Sequence, residues 1–178
     1  EGMRAPHAVV ALLAHQLNLA FDSRSWHGPN LMGSLRGVTP AQAVWRPQPG
    51  RHNIAELAVH AAYWKYRICR LIATVEVPDF DLAGSNFFDR SGPITKAAWT
   101  ADMDLLRRWH ATLHTLTLAT SPRRLNEPVG AGEFTVSEVI SGAAAHDLYH
   151  AGQIRLLRRM QVAASSGKWR QVAASGGK

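Results

Sequence analysis

The chain has 178 residues, of which 46 % are hydrophobic, and its formal net charge is +7. This length suits one compact domain with a sizeable core, and the composition is that of an ordinary globular protein. We expect no membrane partner, because no apolar run reaches the roughly 18 residues of a membrane span and no signal peptide precedes the first predicted helix. The basic residues are scattered without an aromatic-interleaved motif, so a nucleic-acid partner is not expected either.

Cys69 is the single cysteine of the chain. An internal disulfide is therefore excluded, and a cytoplasmic setting is the default expectation. On the helix predicted around it, Cys69 points away from the side that carries His60, so we do not expect a catalytic thiol.

Four segments carry apolar residues at helical spacing, and this periodicity predicts four amphipathic helices. Two of them begin with a residue that favours helix N-termini, Asn53 and Thr135, followed three residues later by a glutamate. This is the pattern of a capping box, so both helix starts are predicted to within a residue or two. The predicted helices cover 6–23, 53–75, 95–119 and 136–160.

The connections between these helices are rich in glycine and proline. Residues 24–52 are predicted to hold at most one short helical turn, after Thr39, and residues 76–94 are predicted to form a loop. Four amphipathic helices without a convincing strand predict an all-α fold, a four-helix bundle.

The end of the chain differs in composition from the rest. The segment 161–168 returns almost unchanged as 171–178 and is rich in serine, glycine and alanine. Such a duplication cannot bury a core. We therefore predict one domain over residues 4–160 and a mostly flexible C-terminal tail over 161–178.

The fourth predicted helix carries the stretch AHDLYHAGQIRLLRR, residues 145–159, in which His146 and His150 stand four positions apart. Four residues of an α-helix turn about 400°, so the two imidazoles lie about 40° apart and about 6 Å along one face. Two nitrogens on one rigid face suit a divalent metal such as Zn²⁺ or Ni²⁺. A pair of ligands alone does not make a metal site.

His60 on the second predicted helix is the candidate for the third ligand. Counted from the helix caps, His60 is the seventh residue of its helix, whereas His146 and His150 are the eleventh and fifteenth of theirs. These positions differ by multiples of four, so the same periodicity turns all three imidazoles inward. If the two helices are neighbours, three imidazoles converge and leave positions open for water, which is the layout of a catalytic metal site.

Two polar residues beside the pair have alternative roles. Asp147 lies on the inward side of the helix and either orients a ligand histidine or forms an ion pair with an arginine. Gln153 lies one turn beyond His150 and either lines the pocket or forms a hydrogen bond to a neighbouring helix.

A second pair with the same spacing, His110 and His114, lies on the third predicted helix. His110 belongs to the apolar stripe of that helix, and His114 lies beside it. No capping box or motif supports this pair, so it is the weaker candidate for a metal ligand.

The segments PQPGRHNIAELAVHAAYW and HDLYHAGQIRLLRR, together with the earlier SLRGVTPAQAVWRP, resemble the DinB-like (DNA-damage-inducible) superfamily of metal-dependent hydrolases and thiol-dependent transferases. The resemblance covers roughly residues 10–160. It implies an up-down-down-up four-helix bundle, often a homodimer, with a divalent metal on His60, His146 and His150. It also implies a small-molecule substrate, in some members a low-molecular-weight thiol.

Two classes of function follow from this reading. The first is a metal-dependent enzyme, a hydrolase or S-transferase that activates water or a low-molecular-weight thiol. The alternative is a non-catalytic metal-binding module for stress response, in which the histidines hold the helices together. Sequence assigns no catalytic residue beyond the metal ligands. Open coordination positions facing a pocket favour the enzyme, and a closed shell of four ligands favours the module.

Overall fold

The computed structural model describes residues 7–166, and this part of the chain is mostly helical. A 3₁₀-helix and a two-stranded antiparallel hairpin lie between the last two α-helices. The all-α class predicted from sequence is confirmed. The elements are α1 (Ala8–Phe21), α2 (Leu31–Leu35), α3 (Pro40–Val44), α4 (Ile54–Ile72), α5 (Lys96–Ala119), the 3₁₀-helix Pro122–Asn126, β1 (Pro128–Val129), β2 (Phe134–Thr135) and α6 (Val136–Ser165).

Both predicted capping boxes are present. The Asn53 side chain accepts a hydrogen bond from the backbone N–H of Glu56, whose carboxylate accepts one from the backbone N–H of Asn53. Thr135 and Glu138 make the same reciprocal pair at the start of α6. These caps satisfy backbone donors that the first helical turn leaves free and fix where each helix begins. Because the first residue of α4 and of α6 is fixed, the side of the helix that each later residue faces is fixed as well.

The connection between α1 and α4 contains more helix than predicted. The short helix expected after Thr39 is confirmed as α3, where Thr39 forms a capping box with Gln42. The helix α2, capped by the side chain of Asn30, was not predicted. Five residues that include a glycine are too short for an apolar periodicity to be recognised in the sequence. The hairpin of β1 and β2 was missed for the same reason, because each strand has two residues.

The four long helices contact one another in a closed cycle. α4 packs against α5 and α6, and α1 packs against the same two helices. The core between them is built from fully buried aliphatic side chains, among them Leu17, Ile54, Leu106, Leu113, Ile140 and Ile154. Within residues 7–166, no helix has the length and apolar character needed to cross a membrane.

α6 continues through the first residues of the predicted tail. The helix ends at Ser165, and the Gln161 side chain donates a hydrogen bond to the backbone carbonyl of Gln42, 2.6 Å away. Residues 161–165 therefore belong to α6, which alanine and valine can extend without a core-facing stripe. The rest of the predicted tail, from 167 to 178, lies outside the described residues.

Candidate metal centre

Three histidines from two helices meet at the interface of α4 and α6. The Nε2 atom of His60 lies 3.2 Å from Nε2 of His146, which in turn lies 2.9 Å from Nε2 of His150. The ligand atoms of the three residues all lie within 4.8 Å of one another. The structure thus brings together the three residues that the helical spacing selected as ligands.

The separations between these nitrogens fit one shared metal ion. An ion bound at about 2.1 Å from each nitrogen separates any two of its ligand nitrogens by about 3.0 to 3.4 Å, from octahedral to tetrahedral geometry. The distances of 2.9 and 3.2 Å between neighbouring Nε2 atoms are close to this range. The third pair, His60 and His150, has ligand atoms within 4.8 Å of each other. Two of the three separations thus suit one shared ion, and the third lies within reach of it after a side-chain shift.

The hydrogen bonds behind two of the imidazoles fix their tautomers. His60 donates through Nδ1 to the backbone carbonyl of Asn86 at 2.9 Å, and His150 donates through Nδ1 to the Gln153 side-chain oxygen at 2.6 Å. Each Nε2 then carries a lone pair and no proton. A proton on the His146 Nε2 satisfies only one of these two lone pairs. The second lone pair is left free at the cavity wall, where it can bind a cation.

Asn86, in the loop after α4, was not identified from the sequence. Its backbone has a positive φ of 61°, a conformation that asparagine tolerates better than most residues. The side chain makes a separate contact, because Asn86 Oδ1 accepts a hydrogen bond from the Trp64 indole N–H at 3.0 Å. The contact with His60 uses a backbone carbonyl, which leaves no signature in the residue type.

An aromatic stack covers one face of His60. The Phe87 ring lies parallel to the His60 ring at a centroid distance of 4.1 Å and to the His52 ring at 3.7 Å. Phe87 is therefore sandwiched between the two imidazoles, since one face cannot hold both. His52 is fixed in turn by the carboxylate of Glu56, 3.0 Å from its Nδ1. The sequence offered a partial signal here, because His52 and Glu56 are four residues apart.

Burial keeps the three imidazoles neutral. Desolvation lowers the pKa of His60 below its ordinary value, and it lowers the pKa of His146 to about 3 and that of His150 to about 4. The neighbouring imidazoles contribute to the shifts of His146 and His150 in the same direction. A histidine must be neutral to bind a metal, so near pH 7 none of the three has to lose a net proton. Only His146 has to change tautomer, because its Nε2 proton must move to Nδ1 before Nε2 can bind an ion.

Asp147 is paired with a lysine. The Lys65 ammonium lies 2.6 Å from one carboxylate oxygen, and the two side chains are 2 % and 1 % exposed. The arginine partner considered from the sequence is therefore replaced by Lys65, and among the described contacts Asp147 makes no hydrogen bond to a histidine. Burial raises the pKa of Asp147 to about 6, while the charge of Lys65 opposes that rise.

The second histidine pair lies elsewhere in the fold. His110 stacks on Phe21 of α1 and contacts the Asn18 side-chain oxygen at 3.0 Å, and His114 contacts the same side chain at 3.1 Å. Neither residue belongs to the cluster of potential metal ligands found within residues 7–166. Cys69 is also separate: it is fully buried, and burial raises the pKa of its thiol to about 12, which leaves it protonated.

The three histidines border a large cavity. Its volume is about 1240 Å³, and it extends from the histidines along the C-terminal half of α6. Tyr149 and Gln153 are the polar residues closest in sequence to His150 that line it. The Gln153 amide donates a hydrogen bond to the Tyr149 hydroxyl at 3.2 Å, which is consistent with its oxygen facing His150. Open space beside the ligand nitrogens gives a small molecule access to the candidate metal position.

Comparison with known proteins gives the family of the chain. A family model of the DinB superfamily matches residues 25–154, a span that contains all three histidines. The chain therefore belongs to the DinB superfamily, and the resemblance found in its motifs is confirmed. No curated protein and no solved structure matches the chain.

Proposed function

We propose that this protein is a metal-dependent enzyme in which His60, His146 and His150 bind one divalent ion, zinc or nickel. Its reaction is hydrolysis or S-transfer on a small-molecule substrate, with water or a low-molecular-weight thiol as the nucleophile. The observation that carries this proposal is the convergence of three Nε2 atoms at the wall of a cavity of about 1240 Å³. Three protein ligands leave at least one coordination position for an exchangeable group.

In this proposal the metal ion activates the nucleophile, and the residues of the chain orient the metal ligands. A divalent ion lowers the pKa of a bound water or thiol, which supplies a nucleophile near neutral pH. The chain contributes by holding the Nδ1 protons of His60 and His150 on Asn86 and Gln153, so that both Nε2 lone pairs face one point. The hydroxyl of Tyr149 accepts from Gln153, and its own proton is free to be donated to a substrate in the cavity.

A second function is favoured by the position of the site between two helices. His60 belongs to α4, whereas His146 and His150 belong to α6, so an ion bound there also links the two helices. A non-catalytic metal-binding module for stress response needs nothing more than this link. The two functions differ in the number of protein ligands and in access to the ion.

Three further features belong to the proposal. The family membership supports an up-down-down-up order of the four long helices and a homodimeric assembly, and the single cysteine supports a cytoplasmic location. Light scattering over a wide concentration range tests the dimer, and a monomer mass throughout would contradict it.

The decisive experiment combines coordination and turnover on the full chain. X-ray absorption on the zinc- and nickel-loaded protein should give three imidazole ligands with one or more light exchangeable ligands. The same samples are then assayed with a set of esters and amides, and with low-molecular-weight thiols plus electrophiles. Turnover that disappears in His146→Ala supports the enzyme. A closed shell of four protein ligands without turnover supports the module.

A further inference from the structure

The cavity beside the histidines is an elongated trough. On one side it is lined by successive residues of α6, from His150 through Leu156 and Met160 to Ala164. Ala164 stands fourteen positions after His150 on the same helix, which corresponds to a length of about 21 Å. Trp45 and Pro47, which follow α3, also line the cavity. The trough thus runs along the C-terminal half of α6, with the candidate metal position near one end.

The wall opposite α6 includes Trp45 and Pro47. Side chains of α6 form hydrogen bonds to the segment of α2 and α3 that precedes this wall. Arg158 donates a hydrogen bond to the backbone carbonyl of Ser34 at 2.8 Å, and Gln161 donates one to that of Gln42 at 2.6 Å. These bonds hold the segment of α2 and α3 against the last turns of α6. The trough is therefore stabilised by contacts within the fold. Its end away from the histidines depends on the residues of α6 beyond 160.

The chemistry of the lining changes along the trough. On the α6 wall, the polar side chains Tyr149 and Gln153 lie at the histidine end, whereas the residues beyond them are Leu156, Leu157, Met160 and Ala164. The segment before α4 adds further polar lining, from Gln48, Arg51 and His52. Leu156 remains 59 % exposed although it lies on the trough wall. An exposed large apolar side chain in a concave site gains free energy when an apolar ligand covers it.

The size of the trough also bears on its ligand. Cavities that bind drug-sized molecules hold about 300 to 1,000 Å³, and this one holds about 1240 Å³. A small thiol or ester bound at the histidines leaves most of that space unfilled.

We infer that the substrate is an amphiphile, with a metal-binding polar head at the histidines and an extended alkyl or acyl chain along α6. This inference rests on the proposed function for the position of the head group, whereas the apolar part of the trough exists without a metal. The occupant expected beside Leu156 and Met160 is thus a linear apolar chain.

The test measures how affinity depends on chain length. Calorimetric titrations use the full zinc-loaded chain with butyl, hexyl, octyl and decyl hydroxamates, below their micelle concentrations. Each methylene that enters the trough should lower Kd by about threefold to fourfold. Leu156→Gln, on the trough wall, should flatten this series. Leu148→Gln is the matched control, because Leu148 is a partly exposed leucine of the same helix that does not line the trough.

A parallel series of primary alkyl amides separates the trough from the metal. Amides bind zinc poorly, so their chain-length dependence should persist in protein treated with a chelator. If the protein binds no metal but the affinity for amides still rises with chain length, the trough binds apolar chains and the proposed function is wrong. If zinc binds and Kd is the same from butyl to decyl, the metal site stands and the amphiphile inference is overturned.

Two other occupants of the trough would also overturn it. A dimer that Leu156→Gln converts to a monomer, together with equal affinity for all chain lengths, would show that a second copy covers the trough. A chain-length dependence that appears only after deletion of residues 167–178 would show that the end of the chain fills it.

Discussion

The ammonium nitrogen of Lys65 lies 2.6 Å from a carboxylate oxygen of Asp147, and water has almost no access to either side chain. Lys65 follows His60 on α4, and Asp147 follows His146 on α6. The ion pair therefore joins the same two helices as the three histidines, one to five residues away along the chain. It constrains how α4 and α6 are aligned, and with them the nitrogens that face the cavity.

Breaking this pair should destabilise the fold strongly. In Lys65→Met the carboxylate of Asp147 is left buried without its counter-charge, and we expect the free energy of unfolding to fall by about 3–5 kcal/mol. The double variant Lys65→Met/Asp147→Leu removes both charges and should recover much of that loss. Urea unfolding of the wild type, both single variants and the double variant gives the comparison. Equal stability of the single and double variants would contradict this account.

Removal of one imidazole should abolish tight metal binding. His60→Ala, His146→Ala and His150→Ala each leave two protein ligands, and we expect less than one tenth of the wild-type metal content after dialysis, because two imidazoles hold a divalent ion weakly. His114→Ala is the matched control, since His114 is also a histidine in an HxxxH pair but lies at the interface of α1 and α5. Elemental analysis of the four variants measures the effect. Full metal content in His60→Ala with loss in His114→Ala would refute the assignment.

The backbone of Asn86 should contribute to metal affinity independently of its side chain. Asn86→Gly keeps access to a positive φ and keeps the carbonyl that accepts from His60, so we expect a loss in affinity of a few-fold at most. Asn86→Val disfavours that φ and displaces the carbonyl, and we expect affinity to fall by about 10- to 100-fold. Competition titrations with a chromogenic zinc chelator measure both. Equal losses in the two variants would show that the carbonyl does not orient His60.

The three histidines of the candidate metal centre could be selected from sequence because their placement depends on local signals. The capping boxes at Asn53 and Thr135 fix where α4 and α6 begin, and helical periodicity then determines which side His60, His146 and His150 face. These signals act within a few residues of the chain. They are therefore readable without knowledge of the tertiary structure.

The surroundings of the ligands could not be identified in the same way. The pairing of Lys65 with Asp147 depends on the register of two helices that are 82 residues apart at this contact. The contact of Asn86 with His60 depends on the path of a loop whose sequence indicates only that it is irregular. The trough depends on how the segment of α2 and α3 docks on α6. Each of these features is decided by tertiary packing, which no local pattern encodes.

His110 should make the protein sensitive to acid. It is buried against Phe21, its Nδ1 has no hydrogen-bond partner among the described residues, and burial lowers its pKa from 6.5 to about 3. The unfolded chain therefore binds a proton at this residue well before the folded protein does. The resulting stabilisation is fully present above about pH 6.5 and is lost as the pH falls from there towards about 3.

The variant His110→Gln tests this sensitivity. Glutamine cannot take up the proton, and its amide can still donate to Asn18. Between about pH 6 and pH 4, the free energy of unfolding of the wild type should fall more steeply than that of the variant, by about 1.4 kcal/mol per pH unit. Urea unfolding of both proteins with a chelator present measures the difference, and the contributions of the other titrating groups cancel between them. Parallel pH profiles would show that His110 is protonated in the folded state as readily as in the unfolded chain.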